Sequence, residues 1–172
     1  MKPKSDFVVQ IKSLLDGENL LEFKSSQWFF DEYCNENSDF KGGNIDVKVN
    51  LFRSSNVFTF KINIFGTLIA ECDRCLDDID VRIDMNETIY AKIANDESDE
   101  DDYITILDDV QEIDLSLYIY EIISTNMPLR KVHEEGKCNP EMIKKLNSYL
   151  IDEEKEEEID PRWDKLKDLL NN

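Results

Sequence analysis

Three long stretches of strict apolar/polar alternation constrain this chain more than any other feature. Ile45, Val47, Val49 and Leu51 fall on one side, with Asp46, Lys48 and Asn50 between them. Phe58, Phe60, Ile62 and Ile64 repeat the pattern after a Ser54-Ser55-Asn56 turn. Ile79, Val81, Ile83 and Met85 repeat it again, followed by Ile89, Ala91 and Ile93. Successive side chains of a strand point to opposite faces, so a period of two means a sheet with one buried and one wet face. The connections are short, which predicts antiparallel neighbours. Tyr103–Leu107 offers one more strand.

Elsewhere the period changes. Phe7, Val9 and Ile11 alternate before an Asp16-Gly17 turn, and Leu20–Phe23 is a second short apolar run. Ser25-Ser26 is an N-cap signal ahead of Gln27-Trp28-Phe29-Phe30, a short helix ending near Cys34. Asp114 caps a helix from Leu115 to about Asn126, apolar nearly all round through Leu115, Leu117, Ile119, Ile122 and Ile123, with Tyr118 and Tyr120; it is expected to bury against the sheet. Pro128 stops it. Asn139-Pro140 opens a helix with Met142, Leu146, Tyr149 and Leu150 on one side. Asp160-Pro161 repeats the device before Trp163, Leu166, Leu169 and Leu170. The expected class is α+β: an antiparallel sheet, open or barrel-like, with a buried helix and C-terminal helices.

Charge bounds the partners. The 172 residues carry a formal net charge of −19. At 41% hydrophobic the chain is too apolar for a disordered polyacid. No apolar run approaches the ~20 residues of a membrane span, and nothing of signal-peptide type follows Met1–Asp6. A soluble, cytoplasmic protein with no membrane partner is expected. The acid is concentrated in Asp96–Asp102, with six acids and no base, and in Ile151–Asp160, with seven acids and Lys155. Each run contributes −6, so removing both leaves −7 for the rest. Both read as solvated spacers, or as docking sites for a basic protein. Proteins that grip nucleic acid alone show a basic footprint, so tight autonomous RNA binding is not expected.

Four cysteines in a cytoplasmic chain argue for metal or redox chemistry before disulfides. Cys72-Asp73-Arg74-Cys75 lies between two predicted strands, where both sulfurs can turn to one point as half of a tetrahedral zinc site. A thioredoxin-type role requires the motif to open a helix, which this context does not provide. The second half is His133 and Cys138, five apart in a loop eased by Gly136. Converging, the four make a Cys₃His site with no open position, so a zinc ion there is structural. The same residues are equally well read as an ordinary histidine beside ordinary thiols, with Cys-x-x-Cys shaping a β-turn.

Arg74, Arg130, Lys131 and Lys137, with Lys144 and Lys145, form a small basic cluster around this candidate site, balanced by Glu134, Glu135 and Glu141. A weak RNA-backbone contact there is compatible with the charge. Cys34 reads as a small hydrophobe and Trp28 and Trp163 as core or groove anchors. There is no Ser-His-Asp order, Gly-rich phosphate loop or His-Glu-x-x-His. Neither an enzyme nor a small-molecule substrate is expected.

Glu71-Cys-Asp-Arg-Cys-Leu76, Met127-Pro-Leu-Arg-Lys-Val-His133, Cys138-Asn-Pro-Glu141 and Ile159-Asp-Pro-Arg-Trp163 occur in an order that resembles the YceD family of large-ribosomal-RNA-subunit accumulation proteins. Where many relatives carry further cysteines, this chain has His133 and Cys138. The resemblance implies one domain over 1–150 with an acidic loop at 96–102, an acidic linker at 151–160 and a short C-terminal helix at 161–172. It implies a non-enzymatic role in large-subunit ribosomal RNA accumulation or processing. At −19, the expected partner is a basic ribosomal protein or a large-subunit precursor, with Arg74, Arg130, Lys131, Lys137, Arg162 and Trp163 as candidate contacts. The alternatives are a protein-interaction module outside the ribosome, and a structural-zinc or redox Cys-x-x-Cys protein.

Overall fold

The computed structural model describes residues 5–94, 103–107 and 109–150. The acidic runs, Arg162, Trp163 and the expected helix at 161–172 lie wholly or in part outside these residues. Among the described residues seven strands and three α-helices follow in chain order, with one 3-10 turn at Ile11–Ser13: β1 (Val8–Gln10), β2 (Gly17–Lys24), α1 (Gln27–Tyr33), β3 (Gly42–Ser54), β4 (Val57–Glu71), β5 (Asp78–Ala94), β6 (Ile104–Leu107), β7 (Glu112–Asp114), α2 (Ser116–Asn126) and α3 (Pro140–Tyr149). A five-stranded sheet runs β2-β3-β4-β5-β6, and β1 pairs with β7 in a separate two-stranded ribbon.

Strands β2 to β5 form an antiparallel meander, as the short turns require. The sheet ends at β2 and β6 and is not closed into a barrel. One pairing departs from expectation: β6 lies parallel to β5, Ala91 opposite Ile104. The eight residues between Ala94 and Tyr103 are too many for a tight hairpin, so proximity in sequence does not dictate antiparallel pairing here. The two apolar runs of residues 79–93 form one strand, because every apolar position has the same parity.

The inner face carries the core. Ile45, Val47, Val49 and Leu51 of β3 and Phe58, Phe60, Ile62, Ile64 and Leu68 of β4 are buried. Phe29 and Phe30 of α1 and Ile119, Ile122 and Ile123 of α2 cover them, with Phe7 set edge-on against Phe29 at 5.2 Å between centroids. The burial of α2 is one-sided: Leu117 is 49% exposed and Tyr118 and Tyr120 are half-buried.

The caps hold with one change of partner. Asp114 Oδ1 accepts from the Ser116 amide, and Asn139 accepts from the Glu141 amide with Pro140 in the first turn. Ser26 starts α1, but its hydroxyl donates to the Asp6 carboxylate and does not cap the helix. Gly66 of β4 has φ +151, and a Cβ there would lie 2.2 Å from the Asn44 carbonyl oxygen on β3. Only glycine lets the strands approach so closely. This long, tightly paired β3-β4-β5 unit delivers Glu71 and Asp78 side by side at one end of the sheet.

Candidate metal centre

The turn between β4 and β5 holds the Cys-x-x-Cys. Cys72 donates its amide to Asp77 O at 2.9 Å, and its own carbonyl accepts from the Leu76 amide at 2.9 Å. Leu76 takes a left-handed conformation, φ 62, to complete the reversal. Both cysteines are thereby held buried at the sheet end.

The second half arrives on the loop between α2 and α3. A main-chain clasp fixes it: the Asp73 amide donates to Lys131 O at 2.7 Å, and the Lys131 amide donates back to the Asp73 carboxylate. Arg74 Nη2 then donates to His133 O at 2.8 Å. Farther on, the Lys137 amide donates to Glu134 O, with Gly136 at φ +80 completing the turn that returns Cys138 to the cluster.

As a result the ligand atoms of Cys72, Cys75, His133 and Cys138 all lie within 4.8 Å of one another. Cys75 Sγ is 3.4 Å from His133 Nδ1, Cys138 Sγ is 4.0 Å from the same nitrogen, and Cys72 Sγ is 3.9 Å from Cys138 Sγ. A tetrahedron with metal–ligand bonds of about 2.0–2.3 Å has edges of roughly 3.5–3.8 Å. The donor set and the spacings fit zinc. All four cysteines, Cys34 included, are free thiols.

The surroundings favour ligation. His133 Nε2 lies 3.1 Å from Asp78 O and donates to it, which leaves the Nδ1 lone pair facing the sulfurs. Burial pushes the Cys72 thiol up, but the amides of Arg74, Cys75 and His133 directed at its sulfur outweigh this and bring its pKa down to about 6. A hydrogen bond to the Cys72 sulfur raises His133, which burial opposes. Burial raises Cys138, and the Arg74 guanidinium opposes that. Arg74 Nε is buried without a hydrogen-bond partner among the described residues, so its charge serves the thiolates by proximity. The low Cys72 pKa originates in main-chain amides of the turn and of the facing His133 loop, and no helix begins at the motif.

The candidate contact residues separate into two kinds. Arg74 belongs to the cluster itself. Lys131 Nζ is tied to Asp39 at 2.9 Å with its side chain only 12% exposed, and Lys137 pairs with Glu134 at 2.5 Å. Arg130 is exposed beside them. Two supporting groups had no signal in the sequence: the Asp78 carbonyl, which acts through the main chain, and Asp73, whose clasp needs two segments 58 residues apart.

The model of the YceD family, "Large ribosomal RNA subunit accumulation protein YceD", matches residues 60–170. The chain belongs to the YceD family. The matched span contains both halves of the Cys₃His cluster, from β4 through the loop before α3. No curated protein and no solved structure matches the chain. Among the described residues of this YceD-family chain, no helix is long and apolar enough to cross a membrane.

Proposed function

We propose that this YceD-family chain is a non-enzymatic cytoplasmic factor that supports accumulation of large-subunit ribosomal RNA. It does so by binding a basic ribosomal protein, or an RNA–protein precursor of the large subunit. The observation that carries the reading is the family match spanning the whole Cys₃His cluster.

Physical chemistry narrows how such a role operates. A chain at −19 is steered toward cationic surfaces and away from bare phosphate. Four protein ligands leave zinc no position for water, so the ion would lock the β4–β5 turn to the α2–α3 loop and carry out no turnover. That end presents Arg130 as an exposed base beside the cluster, while Arg74, Lys131 and Lys137 are engaged with His133 O, Asp39 and Glu134, which suits contact with a protein more than with bare RNA.

The test is sedimentation of a lysate containing the full chain, followed by identification of what travels with it. Co-migration with immature large subunits is expected. A free peak near the monomer, or tight binding of RNA oligomers by purified protein that ignores basic ribosomal proteins at low salt, overturns the reading.

A further inference from the structure

Helix α2 leaves part of the inner sheet face uncovered. Beside it a cleft of about 400 Å³ opens between β5, the start of β6 and α2. Tyr118, Glu121, Ile122 and Thr125 stand at helical spacing on the side of α2 that borders it. Ile89, Ile104 and Ile122 supply apolar surface, and Tyr90, Tyr103 and Tyr118 bring three aromatic rings to the lining. Tyr90 and Tyr103 are 45% and 40% exposed, with ring centroids 6.0 Å apart.

Two carboxylates complete the lining. Glu87 and Glu121 are both exposed, and neither forms an ion pair among the described residues. Aromatic faces and carboxylates around an apolar floor suit a cation on an aliphatic stem: the stem covers isoleucine while the head meets a ring and a carboxylate. Lys92, outside the lining, holds its Nζ 5.7 Å from the centroid of the Tyr103 ring, which leaves Tyr90 and Tyr118 as the rings for a visiting cation. Phosphate, by contrast, meets two like charges here.

We propose that this cleft seats a basic peptide segment of a partner protein, its arginine or lysine heads paired with Glu87 and Glu121 and its stems laid on Ile89, Ile104 and Ile122. This rests on the reading of a basic client above and assigns that client a seat. Arginine is the better occupant, because a planar guanidinium stacks on tyrosine and engages a carboxylate through two donors.

Fluorescence anisotropy with the full chain tests it, using a labelled arginine-rich nonapeptide, its lysine counterpart, a glutamine-substituted control and an RNA oligomer. Expected are binding of the arginine peptide ahead of the lysine peptide, affinity falling with salt, and at least tenfold weakening by Glu87→Gln/Glu121→Gln. Glu18→Gln/Glu36→Gln removes the same charge at exposed positions elsewhere and is expected to stay within twofold of the parent. Equal losses in both double variants, no peptide binding, or tighter binding of the RNA oligomer overturns the assignment. Circular dichroism confirms that each variant is folded. If these arms fail while the parent chain still co-migrates with large-subunit precursors, the cleft assignment falls and the proposed function stands.

Discussion

His133 presents Nε2 to the carbonyl oxygen of Asp78 at 3.1 Å, and that contact decides which ring nitrogen faces the three sulfurs. The imidazole reaches the cluster already in its ligating tautomer. Its partner is a main-chain atom at the start of β5, which no side-chain substitution at position 78 removes.

Metal removal should therefore loosen one end of the sheet. With free zinc about 1,000-fold above its dissociation constant, ligand linkage contributes ~4 kcal/mol. For a domain of this size that amounts to roughly 8–16 °C in Tm. Calorimetry before and after chelation, with zinc added back, measures it; an unchanged Tm is incompatible with a structural ion.

Arg74 acts on the cluster through the His133 carbonyl and its nearby charge. Arg74→Ala should weaken zinc binding about tenfold, in the range seen when groups supporting a metal ligand are removed. Competition with a chromophoric chelator reads this directly, and Arg130→Ala, at an exposed neighbour, should leave the constant unchanged.

The thiols should separate by pH once metal is stripped. Cys72 titrates near 6, whereas burial and then the Asp31 charge push Cys34 up to about 11. Ultraviolet thiolate absorbance of metal-free protein at pH 7, which does not depend on reagent access to the buried Cys72, should show a thiolate that Cys72→Ser removes and Cys34→Ser does not. The sign for stability follows from the depressed Cys72 value. Its thiolate contributes fully above the unfolded-state pKa near 9, and the contribution fades as pH falls through about 6. In metal-free protein this contribution should shrink between pH 9 and 6, against the raised His133 and Cys138, whose shifts act with the opposite sign. The difference between the parent and Cys72→Ser stability profiles reads it, and no pH dependence in that difference contradicts the amide account.

Gly66→Ala separates close approach from backbone strain. A Cβ at Gly66 meets the Asn44 carbonyl, whereas at Gly17, φ +98, it meets nothing within 4 Å. Urea denaturation should show a loss of about 3 kcal/mol for Gly66→Ala and about 1 kcal/mol for Gly17→Ala. Equal losses would mean that strain alone governs both positions.

Much of this was legible in the residues. Period two marked β3, β4 and β5 because their inner faces are buried continuously, and Asp114 and Asn139 marked helix starts through local hydrogen bonds. The convergence of Cys72 and Cys75 with His133 and Cys138 was one of two equal readings of the residues, and the folded loop decides it. What escaped depends on long-range pairing. The β1–β7 ribbon joins residues more than 100 apart, and nothing periodic in the four residues of β6 tells which way they run beside β5. Lys131 looked like a free base, yet its ammonium is tied to Asp39, a residue with no local reason to be near it.

Strand β5 has one further consequence. Asp78 at its first residue holds the imidazole, while Glu87, nine positions on, lines the cleft under α2. At ~3.3 Å per residue the two points stand about 30 Å apart along a single uninterrupted backbone. The strand thus carries one mark at its start and another near its middle, and a single segment of the proposed client that reached both would have to span that separation.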